Sequence, residues 1–144
     1  MILLGKYNHK FDEKGRLALP AKFREHFVHK QVYISIGFDG CVDIRNEENW
    51  NKWVNQLSLT GQATKEGRAL KRKIMSLSNV ATFDSQGRIN INSELKTLSN
   101  IKKDVLIIGN NDHLEVWDED SWNNYLKNEA PSLEEAALKF EDKV

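Results

Sequence analysis

The sequence predicts a duplicated α+β protein. Three observations carry that expectation: a motif written twice, short strand-like runs around it, and helix-start signals at matching places in both copies. The motif is FDEKGRLALPAKFR, Phe11 to Arg24, which returns as FDSQGRININSELK, Phe83 to Lys96. At an offset of 72 residues Phe11 meets Phe83, Asp12 meets Asp84, Gly15 meets Gly87, Arg16 meets Arg88 and Leu17 meets Ile89. The register is expected to run on without a gap through Leu19 and Ile91, Phe23 and Leu95, Ile36 and Ile108, Gly37 and Gly109, Val42 and Leu114, and Ile44 and Val116, as far as Trp50 and Trp122. A self-match of that length marks an internal structural repeat.

Each copy reads the same way. A strand (Lys6 to Phe11; Asn79 to Phe83) runs into the Asp-x-x-Gly turn, and a second strand follows (Arg16 to Leu19; Arg88 to Ile91). A short helix comes next. Pro20 suits its first turn in copy one, where a missing N–H costs nothing, and Asn92 or Ser93 can cap it in copy two. A hairpin then pairs Val32 to Gly37 with Cys41 to Arg45, and Val105 to Gly109 with His113 to Trp117, turning at FDG and NND. A helix closes each copy. Asn46 and Asp118 are its N-caps, and Glu47, Glu48, Glu119 and Asp120 stand where the helix dipole favours acids.

Between the copies, Leu70, Ile74 and Leu77 fall at helical spacing among Arg68, Lys71, Arg72 and Lys73, which predicts a connecting helix. The last segment opens SLEE, with Ser132 and Glu135 at capping-box spacing and an apolar stripe of Leu133, Ala136, Ala137 and Phe140, as a docking or self-association helix would have. No low-complexity linker separates the copies, so they are expected to share one core.

A chain of 144 residues suits one domain or two small halves around a common core. With 40% apolar and 29% charged residues the composition is that of a globular protein. Cys41 is the single cysteine and has no internal disulfide partner, which fits a reducing compartment and a cytoplasmic location. The apolar run at the start of MILLGKYNHK is too short for a signal peptide, and no run approaches membrane-spanning length. Zero net charge argues against a nonspecific nucleic-acid coat, yet the charge is uneven. Residues 1–30 carry Lys6, Lys10, Lys14, Arg16, Lys22, Arg24 and Lys30 against Asp12, Glu13 and Glu25, whereas the last thirty residues are dominated by acids. A basic front and an acidic rear suit binding of a polyanion by one face.

The repeated turn is where chemistry concentrates. An isolated turn of this kind needs no function, because Asp bonds the amides ahead of it, Gly supplies a positive φ and Arg is solvated. Both copies nevertheless place Arg directly after Gly and four residues beyond Asp. Either Asp12 with Arg16 and Asp84 with Arg88 are structural ion pairs, or the arginines face a ligand. The two readings are compatible, since a held guanidinium suits two-pronged recognition of phosphate or of the guanine edge. Lys14 and Gln86 share the slot before glycine. Lysine favours phosphate or guanine and glutamine can read adenine, so the halves need not see identical bases.

These stretches, with the GFDGCVDI and GNNDHLEVW hairpins and the duplicated arrangement, resemble the MraZ family over nearly the whole chain. The resemblance implies two tandem AbrB-like βαββα-type halves of the swapped-hairpin kind, residues 5–47 and 77–119, forming a pseudo-twofold β-barrel-like core with flanking helices. Residues 48–76 would be connecting helices and 120–144 C-terminal helices. It implies a sequence-specific DNA-binding transcriptional regulator, cytoplasmic and nucleoid-associated, that represses its own operon and the proximal division and cell-wall genes. Its partners would be short direct repeats in promoter DNA and further copies of itself in a ring, an octamer or similar, with no membrane partner and no cofactor. Carried over by position, the DNA-binding residues are Lys14, Arg16, Gln86 and Arg88, and the turn-shaping ones Asp12, Gly15, Asp84 and Gly87. The chain departs from the family pattern at Asn92, where proline is usual, and at Lys96, where arginine is usual; a capping Asn is expected to preserve the fold.

Cys41 and His113 occupy matching positions, which invites a metal or a Cys–His nucleophile. That reading is set aside because no second close pair supplies metal-ligand spacing. His9, His26 and His29 are expected at the surface, the four tryptophans mostly in the core, and the Arg68 to Lys73 cluster on a solvated helix face. Without a Gly-rich phosphate loop, a GxSxG elbow or HExxH, an enzyme is not expected and no catalytic residue is assigned. The alternative is an antitoxin-like protein-binding module with secondary DNA autoregulation. A disordered toxin-wrapping tail would favour it, and the segment after Pro131 reads as helix instead.

Overall fold

The Asp-x-x-Gly turn splits the opening of each copy into two strands: β1 (Leu3–Lys10) and β2 (Arg16–Ala18) in the first, β5 (Asn79–Thr82) and β6 (Arg88–Asn90) in the second. The structure, a computed structural model, describes residues 2–141. Short helices α1 (Ala21–Arg24) and α4 (Ser93–Leu98) follow the turns. Then come the hairpins β3 (Gln31–Ile36) with β4 (Val42–Arg45), and β7 (Asp104–Asn111) with β8 (His113–Asp118). Helices α2 (Glu47–Gly61) and α5 (Glu119–Asn124) close the two halves, α3 (Lys65–Leu77) connects them, and α6 (Leu133–Glu141) ends the described chain. Each half therefore runs β-β-α-β-β-α, and the fold is α+β with antiparallel strands.

The caps lie where the sequence places them. Asn46 Oδ1 accepts from the Asn49 amide at 2.9 Å, Asn92 Oδ1 from Leu95 at 2.8 Å, Asp118 Oδ2 from Ser121 at 3.2 Å and Ser132 Oγ from Glu135 at 3.2 Å. Each satisfies an amide with no partner inside its helix, worth ~1 kcal/mol. Asn92, expected to replace a proline at this place, thus caps the start of α4.

Strand order explains why the copies cannot separate. The six-stranded sheet runs β1-β7-β8-β4-β3-β5, and β2 pairs with β6 in a separate two-stranded ladder. The first strand of each copy lies on the hairpin of the other, β1 on β7 and β5 on β3. Exchanging equivalent strands leaves the order unchanged, which defines a pseudo-twofold axis. Leu17 pairs with Ile89 and Asp43 with Glu115 on that axis, both pairs being 72 residues apart.

The gap-free register expected from the repeat does not hold at the third strand of each half. Ile34 pairs with Ile44 and Ser35 with Asp43, but Ile107 pairs with Val116 and Ile108 with Glu115. Ile34 is therefore equivalent to Ile107 rather than to Leu106. Copy two has one extra residue before β7 and one fewer in its hairpin turn. A one-residue slip moves side chains to the other face: Ile36 packs against the main core, whereas Ile108 packs outside with Cys41, Leu106 and Trp117.

The main core lies on the inner face of the sheet, where Ile34, Ile44, Ile107 and Leu114 are fully buried together with Phe23 of α1 and its equivalent Leu95 of α4. Burying each such side chain contributes about 1.5–3 kcal/mol. On the outer face, Trp50 of α2 stacks on Tyr33 at 5.5 Å, and Trp122 of α5 meets Trp117 edge-on at 5.1 Å. The tryptophans are thus packing residues.

His26, expected at the surface, is buried. It follows α1 and lies under the cap of α2, where Asn46 Nδ2 is 3.0 Å from its Nε2. Burial pushes its pKa below the ordinary imidazole value. Among the described residues no helix is long and apolar enough to cross a membrane.

Candidate nucleic-acid interface

The two turns are built alike. In the first, Asp12 Oδ1 accepts from the Lys14 amide at 3.0 Å and the Arg16 amide at 2.8 Å, while Oδ2 accepts from Arg16 Nε at 2.8 Å. In the second, Asp84 Oδ1 accepts from Gln86 and Arg88 amides, both at 2.9 Å, and Oδ2 from Arg88 Nε at 2.7 Å. The Arg16 amide, and with it the guanidinium, holds the Asp12 carboxyl below the ordinary carboxylate value, and Arg88 does the same for Asp84. Gly15 and Gly87 take φ of 76° and 74°, a left-handed conformation that glycine adopts freely.

The ion pairs that the sequence offers as one of two readings are therefore present. A guanidinium carries five N–H donors, and the clamp takes the Nε–H, so the terminal amino groups keep donors for a ligand. The side chains of Arg16 and Arg88 are partly buried at 27% and 23% exposure, whereas Lys14 and Gln86 are exposed at the tips. The β2–β6 ladder sets the two turns side by side: Arg88 Nη1 lies 3.7 Å from Asp12 Oδ2, across the axis. All eight site residues drawn from the sequence stand at this one end of the molecule.

Two supporting residues were missed. Lys96 of the second half reaches the first turn, where its Nζ donates to Gly15 O at 3.1 Å and sits 4.3 Å above the Phe11 ring centroid. Burial lowers its pKa, against the pull of Asp12. Arg24 of the first half lies so close to Gly87 that a Cβ there would collide with the guanidinium. Each half thus braces the other half's turn. The signal was available, because Arg24 and Lys96 are equivalent in the repeat and both are basic.

A family described as "MraZ protein, putative antitoxin-like" matches residues 2–73 and again residues 77–142. The chain belongs to the MraZ family. Among its relatives, a transcriptional regulator MraZ from Spiroplasma kunkelii is 59% identical over the whole length of both chains. Another of the same name from Mesoplasma florum is 37% identical over 95% of this chain and 94% of its own, and one from Halothermothrix orenii is 35% identical over 98% of each. The two matched stretches divide this MraZ-family chain near the end of α3, in agreement with the duplicated strand order.

Proposed function

We propose that this MraZ-family chain is a DNA-binding transcriptional regulator, not an enzyme, whose paired turns are the reading head. The observation that carries the reading is the pair of Asp-clamped arginines at one end of the axis. The printed name of the relatives, transcriptional regulator, agrees with it. In this reading residues 5–47 and 77–119 act as two AbrB-like halves of one head. Arg16 and Arg88 hold a fixed orientation toward phosphate or guanine, and the exposed Lys14 and Gln86 probe the bases.

The finer reading is repression of the protein's own operon and of neighbouring division and cell-wall genes, through short direct repeats in the promoter, by cytoplasmic, nucleoid-associated protein. One head offers few base contacts, each worth about 1–3 kcal/mol of discrimination. A ring of copies, an octamer or similar, would make later contacts intramolecular when DNA boxes recur at matching spacing, and avidity would supply the rest. The test is titration of the full chain against its own upstream DNA and a scrambled duplex at two salt concentrations. Preference for the promoter, with affinity falling in salt by a slope of about 0.9 per phosphate contact, supports the reading; equal affinity for both duplexes overturns it.

A second reading, an antitoxin-like protein-binding module, is favoured by the exposed Leu133, Leu138 and Phe140 of α6. Deleting α6 without loss of promoter preference but with loss of a co-purifying protein would select it.

A further inference from the structure

The β4–β8 seam gathers a second set of repeat-matched residues that the turns do not use. Residues i and i+2 of an extended strand share a face, so Cys41 and Asp43 project together, as do His113 and Glu115. Antiparallel pairing of Asp43 with Glu115 on the axis brings the two pairs into one cluster. Cys41 Sγ lies 3.5 Å from Asp43 Oδ1, and His113 Nε2 lies 3.2 Å from Glu115 Oε2 and 3.9 Å from Asp43 Oδ1. One ligand atom each of Cys41, Asp43 and Glu115 falls within 4.8 Å of the others. A tetrahedral zinc ion with bonds of about 2.0–2.3 Å sets its ligand atoms roughly 3.3–3.6 Å apart; the Cys41–Asp43 and His113–Glu115 spacings match this, the mutually close set is Cys41, Asp43 and Glu115, and His113 at its edge would complete it by a small side-chain shift. We propose that this cluster is a zinc site with Cys41, Asp43, His113 and Glu115 as ligands.

The surroundings are those of a metal site. Protein metal sites orient their ligands through outer hydrogen bonds, and the imidazole and both carboxylates have them here, while the Cys41 thiol donates to Phe38 O at 3.4 Å, a bond that metal binding would give up. His113 Nδ1 is 2.8 Å from Asp112 Oδ1, which leaves Nε2 for the ion. Trp117 Nε1 donates to Glu115 Oε1 at 3.0 Å and Asn110 Nδ2 to Oε2 at 3.1 Å. Arg45 Nη1 donates to Asp43 Oδ2 at 3.1 Å, leaving Oδ1 turned to the cluster. Ser35 pairs directly with Asp43 and so rises on the same face; it is fully buried, and its Oγ has no hydrogen-bond partner among the described residues. A buried hydroxyl without a partner is costly, and it stands here as a further oxygen donor beside Asp43. Gly37 is the only residue type that fits behind the donors, since a Cβ there would lie 2.5 Å from both Cys41 Sγ and Asp43 Oδ1.

Zinc binding displaces the proton of the Cys41 thiol, and Arg45, paired with Asp43, offsets part of the negative charge that the ligands bring together. A thiolate and an imidazole together select zinc over magnesium or calcium. The bound ion would tie β4 to β8 and so join the two halves on their axis.

The experiment uses the full chain without DNA, so its outcome is independent of the promoter test. Chelator-dialysed protein is titrated with zinc by calorimetry in buffers of different ionisation enthalpy, and with cobalt(II) by absorption. The expected result is one ion per chain, proton release on binding as the thiol ionises, a thiolate-to-cobalt charge-transfer band, and a melting temperature raised by zinc but not by magnesium. Cys41→Ser should lose the charge-transfer band. Asp112→Asn, at an exposed position, should weaken zinc binding by roughly 10- to 100-fold. A wild-type chain that binds no zinc, or binds it with no thiolate band, overturns the proposal. Should Cys41→Ser fail to fold, the wild-type cobalt spectrum and proton release decide the matter alone.

Discussion

At the β2–β6 end of the axis the polar clamp residues equivalent by the 72-residue offset are chemically identical, whereas at the β4–β8 seam Cys41 and Arg45 differ from their equivalents His113 and Trp117. Asp12 matches Asp84, Arg16 matches Arg88, Leu17 matches Ile89, and the clamp distances agree to within 0.1 Å for the arginine Nε contacts. At the seam, Cys41 corresponds to His113, Arg45 corresponds to Trp117, and Asp43 faces its own equivalent Glu115. The backbone symmetry is the same in both places. Pairing and apolar alternation are enough to maintain it, so matching polar chemistry at the turns asks for a cause outside the fold. A ligand that meets both turns in equivalent ways is such a cause. The seam, free of that demand, holds complementary groups whose partners lie inside the molecule. Lys14 and Gln86 are the informative exception at the turn end: the clamp is kept identical while the exposed tip differs.

The largest expected effect breaks the seam. In chelator-treated protein, Arg45→Ala leaves the buried Asp43 carboxylate without its guanidinium and should destabilise the fold by about 3–5 kcal/mol in urea unfolding. Burial already pushes the Asp43 carboxyl upward against the pull of Arg45, so a small loss would mean that Asp43 takes up a proton instead. At the turn end, Asp12→Ala or Asp84→Ala should lower promoter affinity roughly tenfold, the scale of one lost bidentate contact. Removing a negative charge alone would raise affinity for DNA. The sign measured by fluorescence anisotropy therefore separates a clamp from a bystander.

A finer comparison sets one turn against the other. Gly15→Ala and Gly87→Ala each force a side chain into the left-handed region, at roughly 1–2 kcal/mol. The loss should be greater at Gly87, where the new Cβ meets Arg24, than at Gly15, where it meets only the flexible end of Lys96. Equal losses would show that the bracing across halves is slack. The smallest effect is pH-dependent and lies away from both regions. His26 binds its proton less tightly in the folded chain than at the ordinary value of 6.5. The stability it contributes is complete above that pH and is lost as pH falls below it. His26→Gln, which keeps an acceptor for Asn46, should flatten that loss in urea midpoints taken on either side of pH 6.5.

Much of this was legible in the chain. The offset of 72 locates both axial pairs, and the caps Asn46, Asn92, Asp118 and Ser132 follow from residue type and position alone. So does the Asp-to-Arg clamp, because donor, acceptor and glycine lie within five residues. What was not legible is made between copies. Periodicity tells which face of a strand is apolar but not which strand lies beside it, so the exchange of β1 and β5 was hidden without the family resemblance. The slip at β7 was hidden because two compensating single-residue changes preserve the overall offset. Cys41 and His113 looked isolated because the carboxylates of Asp43 and Glu115 are brought to them by the pairing of β4 with β8, which neither strand reveals alone.

The central claim is that the two turns are one reading head. It is tested most directly by titrating Arg16→Ala, Arg88→Ala and the double variant against promoter and scrambled duplexes, with circular dichroism to confirm the fold. The account predicts that each single change removes about 1–3 kcal/mol of promoter discrimination, leaves the fold intact, and that the double variant no longer distinguishes the duplexes. Single variants that discriminate as well as the wild-type chain would contradict it, and would make the Asp–Arg clamps structural alone.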